Sequence, residues 1–302
     1  MRASFRFVAV LAATLVVLPG LLPTELVPPG LKPRPTYVAV SAQAQTPYRI
    51  LLTNDDGVRA PGLQAMADAL KAGGHEVTII GPQENQSAKG TSLTINDPIV
   101  QENLTLPNGM AAIGLSCTPA TSMRIALFNI VKQRPQLVVS GINRGTNLGF
   151  GAYISGTVGA AREAAMAGIP AIATSLSYPA AKDVDSYRAG AEATMRIVSL
   201  VRKEGLPRGV FLNVSIPPGT MQTFKGTKVT TQGSAYGGKA TYAERQHPLS
   251  TRTYFWDTFI EGGKDVPGTD TMEMQAGYVT VTPLKIGEFD QATFDKLKTV
   301  IE

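Results

Sequence analysis

The chain has 302 residues, 17% of them charged, and a mean hydropathy of +0.03, which suits one large or two small globular domains and excludes a disordered chain. Of the formal charge of +5, +3 belongs to residues 1–44 (Arg2, Arg6, Lys32 and Arg34 against Glu25), and the +2 left for the rest excludes a surface for a nucleic-acid duplex. A single cysteine, Cys117, rules out an internal disulfide framework, and two histidines, His75 and His247, are too few for a His-rich zinc site.

Arg2 and Arg6 precede an apolar run from Phe7 to Leu18 that ends at Pro19-Gly20. The run is shorter than the ~20 residues that span a bilayer. A basic start, a short apolar core and the small-x-small site Ala42-Gln43-Ala44 define a secretory signal segment over 1–44. The expectation is export to the periplasm or the medium, with cleavage near Ala44 and no stable membrane span afterwards. The proline-rich lead (Pro23, Pro28, Pro29, Pro33, Pro35) leaves two other outcomes open, cleavage nearer Pro23 and an uncleaved anchor.

Arg49-Ile50-Leu51-Leu52 reads as a short buried strand, and Thr53-Asn54-Asp55-Asp56-Gly57-Val58 follows it. Polar groups at the C-terminal end of a first strand are where α/β proteins place ligands. Adjacent carboxylates repel, so one carries a proton or a cation lies between them. A hard divalent metal satisfies the pair, and a solvated Asp-Asp-Gly turn is the plainer alternative. Leu63 to Lys71 has helical spacing, Gly73-Gly74 stops it, and Glu76 to Ile80 is a second strand, which completes a βαβ unit. The loop Gly81 to Gly90 returns to the face of Asp55, and its Ser87 offers a hydroxyl to a metal or phosphate or simply makes a turn.

Leu93-Thr94-Ile95 and Ile99-Val100 read as the strands of a hairpin-like excursion, and 111–118 carries little pattern. Cys117 reads as a small apolar filler. Ala120 to Lys132 is predicted helical, and Gln136 to Gly141 is a buried strand opening into a loop rich in Asn and Gly, Ile142 to Gly151. Ser155-Gly156-Thr157 then starts a small-residue helix, Val158 to Ala167. Such a start binds phosphate oxygens or is a plain N-cap. Ala171 to Leu176 is a strand, Ser186 to Glu204 a helix, and Val210 to Ile216 a strand closed by Pro217-Pro218. Beyond it the alternation lapses. Lys228 to Thr231, Thr251 to Trp256 and Tyr278 to Pro283 are β-like, and Gly-rich stretches (Gly233 to Gly238, Gly262 to Thr269) read as arms or loops packing on the sheet or on a partner subunit. A helix from Asp290 to Ile301 ends the chain.

Taken together, these stretches resemble the SurE family of survival-protein, metal-dependent nucleotidases. The match runs from Arg49 to Val58 through Ala60-Pro61-Gly62, Gly74 to Val77, Gly81-Pro82, Asn85-Gln86-Ser87 and Ser92-Leu93-Thr94. It is strongest at Ser140-Gly141-Ile142-Asn143, Gly145, Asn147-Leu148-Gly149 and Ser155 to Val158, and closes with Asn213-Val214, Thr269-Asp270, Gly277 to Val279 and Thr282-Pro283-Leu284. The resemblance implies a Rossmann-like three-layer α/β/α sandwich over 45–286, with a β-rich extension at about 217–286 used for oligomerisation and a helical tail over 287–302. A homodimer or homotetramer is expected. It implies hydrolysis of nucleoside 5′-monophosphates, with 3′-nucleotides as a further candidate substrate, and a divalent cation, Mg²⁺ or Mn²⁺.

The resemblance places Asp55, Asp56, Ser87 and Asn143 around the metal, and Asn54, Asn147, Ser155, Gly156 and Thr157 along the phosphate pocket, with Asn54 joining the two acids in the catalytic set. Two carboxylates, a hydroxyl and an amide oxygen are a hard oxygen set suited to Mg²⁺. Two departures stand out, Ser87-Ala88 where relatives have Ser-Gly, and Thr121 where they carry an acid. Both bear on nucleotide preference more than on metal binding. Two alternatives remain. A glycosyltransferase-like domain would need a second Rossmann-like half, which the region after Pro217 does not supply. A non-catalytic nucleotide- or metal-binding protein of the same fold is set aside only by activity.

Overall fold

The computed structural model describes residues 47–178, 183–234, 240–259 and 265–301. The expected export segment, 1–44, lies outside the described residues, as do parts of the two Gly-rich stretches, 235–239 and 260–264. No helix among the described residues is long and apolar enough to cross a membrane.

Strand β1 (Arg49–Thr53) shows how the layers arise. Ile50 and Leu52 enter one apolar cluster and Leu51 enters the other. Strand β5 (Leu137–Arg144) divides in the same way, with Leu137 and Val139 on one side and Val138 on the other. Successive side chains point to opposite faces, so a run buried on both faces reads as continuously apolar. Helices α1 (Pro61–Ala72) and α5 (Val184–Glu204) cover the first face, through Leu63, Met66, Leu70, Ile197 and Val201. Helices α2 (Pro119–Ile125) and α4 (Gly156–Met166), the latter preceded by the single turn α3 (Gly151–Ile154), cover the second, through Met123, Val158, Ala161 and Ala164. The fold is therefore a three-layer α/β/α sandwich. Truncating a fully buried residue such as Leu51 would cost about 2–5 kcal/mol.

Among the described residues the main sheet has nine strands in the order β3-β4-β2-β1-β5-β6-β7-β11-β8, with β2 (Glu76–Pro82), β3 (Gln101–Thr105), β4 (Ala111–Leu115), β6 (Ala171–Leu176), β7 (Val210–Ile216), β8 (Thr227–Val229) and β11 (Val279–Lys285). The chain runs outward from β1 to β2 and β4, then returns to β5 on the other side of β1. Both neighbours of β1 are parallel to it. The order thus reverses between β1 and β5, and ligands in open α/β sheets sit outside the strand ends at such a point.

Several elements differ from expectation. The stretches at 93–95 and 99–100 are not strands. Ile95 and Val100 are exposed there, and the hairpin forms instead from β3 and β4. Strand β3 is polar because it is the sheet edge, and β4 is built of small residues whose strand state comes from its neighbours. The predicted helix over 120–132 divides. After Ile125 the turn widens through Ala126–Ile130, closed by a bond from Val131 N to Ala126 O at 2.9 Å. Of the β-like stretches after Pro217, two lie within the main sheet: β11 runs antiparallel to β7, and β8 runs parallel to β11. Only β9 (Ala240–Gln246) and β10 (Thr253–Phe259) stand apart, as a two-stranded antiparallel ribbon. Helix α7 (Gln291–Ile301) ends the chain with no buried residue. Cys117 is 4% exposed, and burial pushes its thiol up to about 11, as an inert filler requires.

Candidate active site

Asp55 and Asp56 leave the C-terminal end of β1 at the point of reversal. Asp55 is 3% exposed. Its main-chain carbonyl accepts from Gln86 N at 2.7 Å, which fastens the Ser87 loop to the pair. Ser87 itself is exposed at that loop's rim, and its N–H donates to Asn85 Oδ1 at 3.0 Å. Asp56 reaches across the reversal. Its Oδ2 accepts from Arg144 N at 2.7 Å, one residue beyond Asn143 at the end of β5. Asn143 spends its Nδ2 on Gly145 O at 2.6 Å, so its Oδ1 is the atom left for a cation. Asn54 donates to Gly57 O at 2.9 Å, while its Oδ1 is buried without a hydrogen-bond partner.

Helix α4 supplies the other wall. Thr157 donates its hydroxyl to Asp55 Oδ1, and its backbone N–H faces the same carboxylate. The approach is close enough to demand glycine at 156. A Cβ there would lie 2.8 Å from Asp55 Cβ and 2.9 Å from its Oδ2. Gly159 has the same need, because a Cβ would sit 2.2 Å from Gly90 O, where the Ser87 loop ends. Ser155 caps the helix by accepting from Val158 N at 3.1 Å. The Ser155-Gly156-Thr157 turn is therefore partly engaged already. Thr157 holds Asp55 rather than lying open to a phosphate, and Ser155 is the N-cap while keeping its own O–H to donate.

Burial is the main cause that lifts Asp55 to about 6, and the charge of Asp56 adds to it against the Thr157 bonds. Asp56 is also raised by burial, which the Arg144 N–H and guanidinium oppose. A buried carboxylate beside a half-buried one, so weakly compensated, calls for positive charge between them. Asp55, Asp56, Ser87 Oγ and Asn143 Oδ1 fit a hard divalent cation that keeps some of its water. Among the described residues no group of three or more His, Cys, Asp or Glu offers another such centre.

Asn147 lies further along the same rim. Its Nδ2 donates to Ser175 Oγ at 2.7 Å, and its carbonyl accepts from Asn213 Nδ2 at 2.7 Å. Sequence reasoning gave no role to Arg144, although it follows Asn143 directly. Thr121, the departure from the acidic residue, joins a hydroxyl chain instead. Its Oγ1 accepts from Thr94 N at 2.8 Å and from Thr118 Oγ1 at 3.0 Å.

The model of the family described as Survival protein SurE matches residues 50–239. A protein named 5′-nucleotidase SurE from Geotalea daltonii is 40% identical over 240 residues, covering 79% of this chain and 93% of its own. Another of that name, from Symbiobacterium thermophilum, is 36% identical and covers 82% of this chain and 96% of its own. The crystal structure of the SurE protein from Aquifex aeolicus superposes with a TM-score of 0.71 at 33% identity, covering 84% of this chain and 99% of that one. With a family model matched over more than half of its length and relatives at 36–40% identity, the chain belongs to the SurE family.

Proposed function

We propose that this protein is a metal-dependent phosphomonoesterase that hydrolyses nucleoside 5′-monophosphates to nucleoside and phosphate. The observation that carries the reading is the pair of buried Asp55 and half-buried Asp56 at the reversal of strand order, with Asn143 and the start of α4 against it. Its relatives named 5′-nucleotidase SurE support the substrate class.

Asp55, Asp56, Ser87 and Asn143 would hold a divalent ion, Mg²⁺ or Mn²⁺. Such an ion, when bound, polarises a phosphoryl oxygen and lowers the pKa of a coordinated water. The chain's own residues do the rest. Thr157 keeps Asp55 in one orientation. The carboxylate of Asp55 or of Asp56 orients the attacking water or takes its proton. The Ser155 hydroxyl, the Gly156 N–H and Asn147 face the remaining phosphate oxygens, with the positive end of the α4 dipole behind them.

The test is phosphate release by the protein from residue 45 onward, on 5′- and 3′-nucleotides and a generic phosphomonoester, with Mg²⁺, with Mn²⁺ and with chelator. Hydrolysis of 5′-nucleotides lost on chelation is expected. Turnover indifferent to chelator would overturn the metal reading, and turnover of generic esters alone would overturn the substrate. Residues 1–44 make the protein an exported one, which fractionation of cells with an antibody to the mature chain checks. A homodimer or homotetramer is the expected assembly, measured by light scattering.

A further inference from the structure

We propose that Asp270 and Asn213, two buried residues from the second half of the chain, are positioning residues for the substrate loop Gly145 to Gly149. The inference rests on the phosphomonoesterase reading above, in which Asn147 in this loop faces the phosphate.

The loop needs outside support. Gly145 has φ +115° and Gly149 has φ +50°, so its ends take conformations that only glycine adopts freely. Its first residue is tied by Gly145 N to Leu176 O at 2.8 Å and by Asn143 Nδ2 to Gly145 O. Four further bonds hold Asn147 and Gly149. Asn213, on β7 and 1% exposed, donates to Asn147 O at 2.7 Å. Ser175, on β6, receives the Asn147 side chain at 2.7 Å. Gln232 donates its Nε2 to Gly149 O at 2.8 Å. Asp270, 1% exposed, accepts from Gly149 N at 3.0 Å through its Oδ2.

The second oxygen of Asp270 points elsewhere. Its Oδ1 accepts from Gly233 N at 2.9 Å and from Thr271 N at 2.8 Å, at the start of helix α6 (Asp270–Gln275). One carboxylate thus pins a substrate-facing loop to two segments that lie over 80 residues later in the chain. Fit at Gly233 is tight, since a Cβ there would lie 3.0 Å from Asp270 Oδ1. A buried carboxylate is expensive unless its oxygens are hydrogen-bonded, and here both are. The proposed metal and phosphate contacts leave both Asp270 and Asn213 without a task. Support of Asn147 supplies one.

Asp270→Asn tests the idea selectively. An amide has one acceptor oxygen. If that oxygen stays on Gly233 and Thr271, the new NH₂ meets the Gly149 N–H, donor against donor, and only the loop tie is lost. Losing one such bond amounts to a factor of about ten. The expected result is a KM for a 5′-nucleotide raised about tenfold, with kcat changed less than about threefold. Amide hydrogen exchange in the peptide covering 145–151 should quicken by a similar factor. Gln232→Ala, at a half-buried side chain, carries less risk to folding and should raise KM about threefold with faster exchange in the same peptide. Unchanged KM and unchanged exchange at 145–151 in either folded variant would overturn the proposal, whatever happens to the melting temperature. A wild-type protein without phosphatase activity would instead overturn the reading of function. Exchange alone then decides, and retained protection of 145–151 in Asp270→Asn sinks the positioning role.

Discussion

Asp55 at the end of β1 and Asp270 at the start of α6 are buried almost equally, at 3% and 1% exposure, in quite different company. Asp270 spends both oxygens on backbone N–H groups from three segments. The Asp55 carboxylate is met by the hydroxyl and N–H of Thr157 and by its own N–H, sits beside a second carboxylate, and is lifted to about 6. The protein thus uses one kind of side chain in two ways. A carboxylate whose bonds are complete joins segments, and one left short of positive charge is ready to receive a cation and a substrate. Sites that retain such a deficit sacrifice stability for function.

The largest break of this contrast comes at the deficient pair. Asp55→Asn, Asp56→Asn and Asn143→Ala are each expected to lower metal-dependent kcat/KM by about 10³-fold or more, since each removes a ligand of the ion that activates water. Full turnover in all three would remove the site assignment. Next is Gly156→Ala. Its methyl would overlap the Asp55 carboxylate, so activity should fall about 10²-fold and unfolding free energy by about 1–3 kcal/mol, read by kinetics and urea titration. The smaller effect of Asp270→Asn, about tenfold and in KM, marks the joining carboxylate as distinct from the reacting one.

Stability against pH sharpens the same comparison. The proton on folded Asp55 is held up to about pH 6, whereas the unfolded chain releases it near pH 4. Over that window the folded state binds more protons, so metal-free protein should lose stability as pH rises, by about 2–3 kcal/mol, and Asp56 adds in the same direction. Asp55→Asn should flatten that slope in chelator and be more stable than wild type at pH 7, measured by urea unfolding. A wild-type slope of the opposite sign would contradict the burial argument. The smallest effect is expected at Ala88, whose φ of +60° is in the left-handed region. Ala88→Gly should raise the unfolding free energy by about 0.5–1 kcal/mol, as relief of that conformation exceeds glycine's added unfolded-state freedom.

Much of this protein is legible in its sequence. Ile50, Leu51 and Leu52, or Leu137, Val138 and Val139, are apolar without a break because both sheet faces are covered, and that pattern is local. The ends of those strands then carry the two acids and Asn143, so most of the candidate site follows from strand positions. Local pattern cannot supply pairing between distant segments. Strand β3 looks like loop because its polar residues lie at a sheet edge, and β11 reads as β-like with no partner assigned until β7 lies antiparallel beside it. Thr157 reads equally as a phosphate donor or a cap until the third layer brings it onto Asp55. The tie from Asp270 to Gly149 spans 121 positions and leaves no periodic trace. Hydrophobic alternation records which face a residue turns inward, and so the sequence determined the layers and which polar residues stand at the strand ends. Contacts between remote backbones depend on how the layers close, and that only the tertiary structure decided.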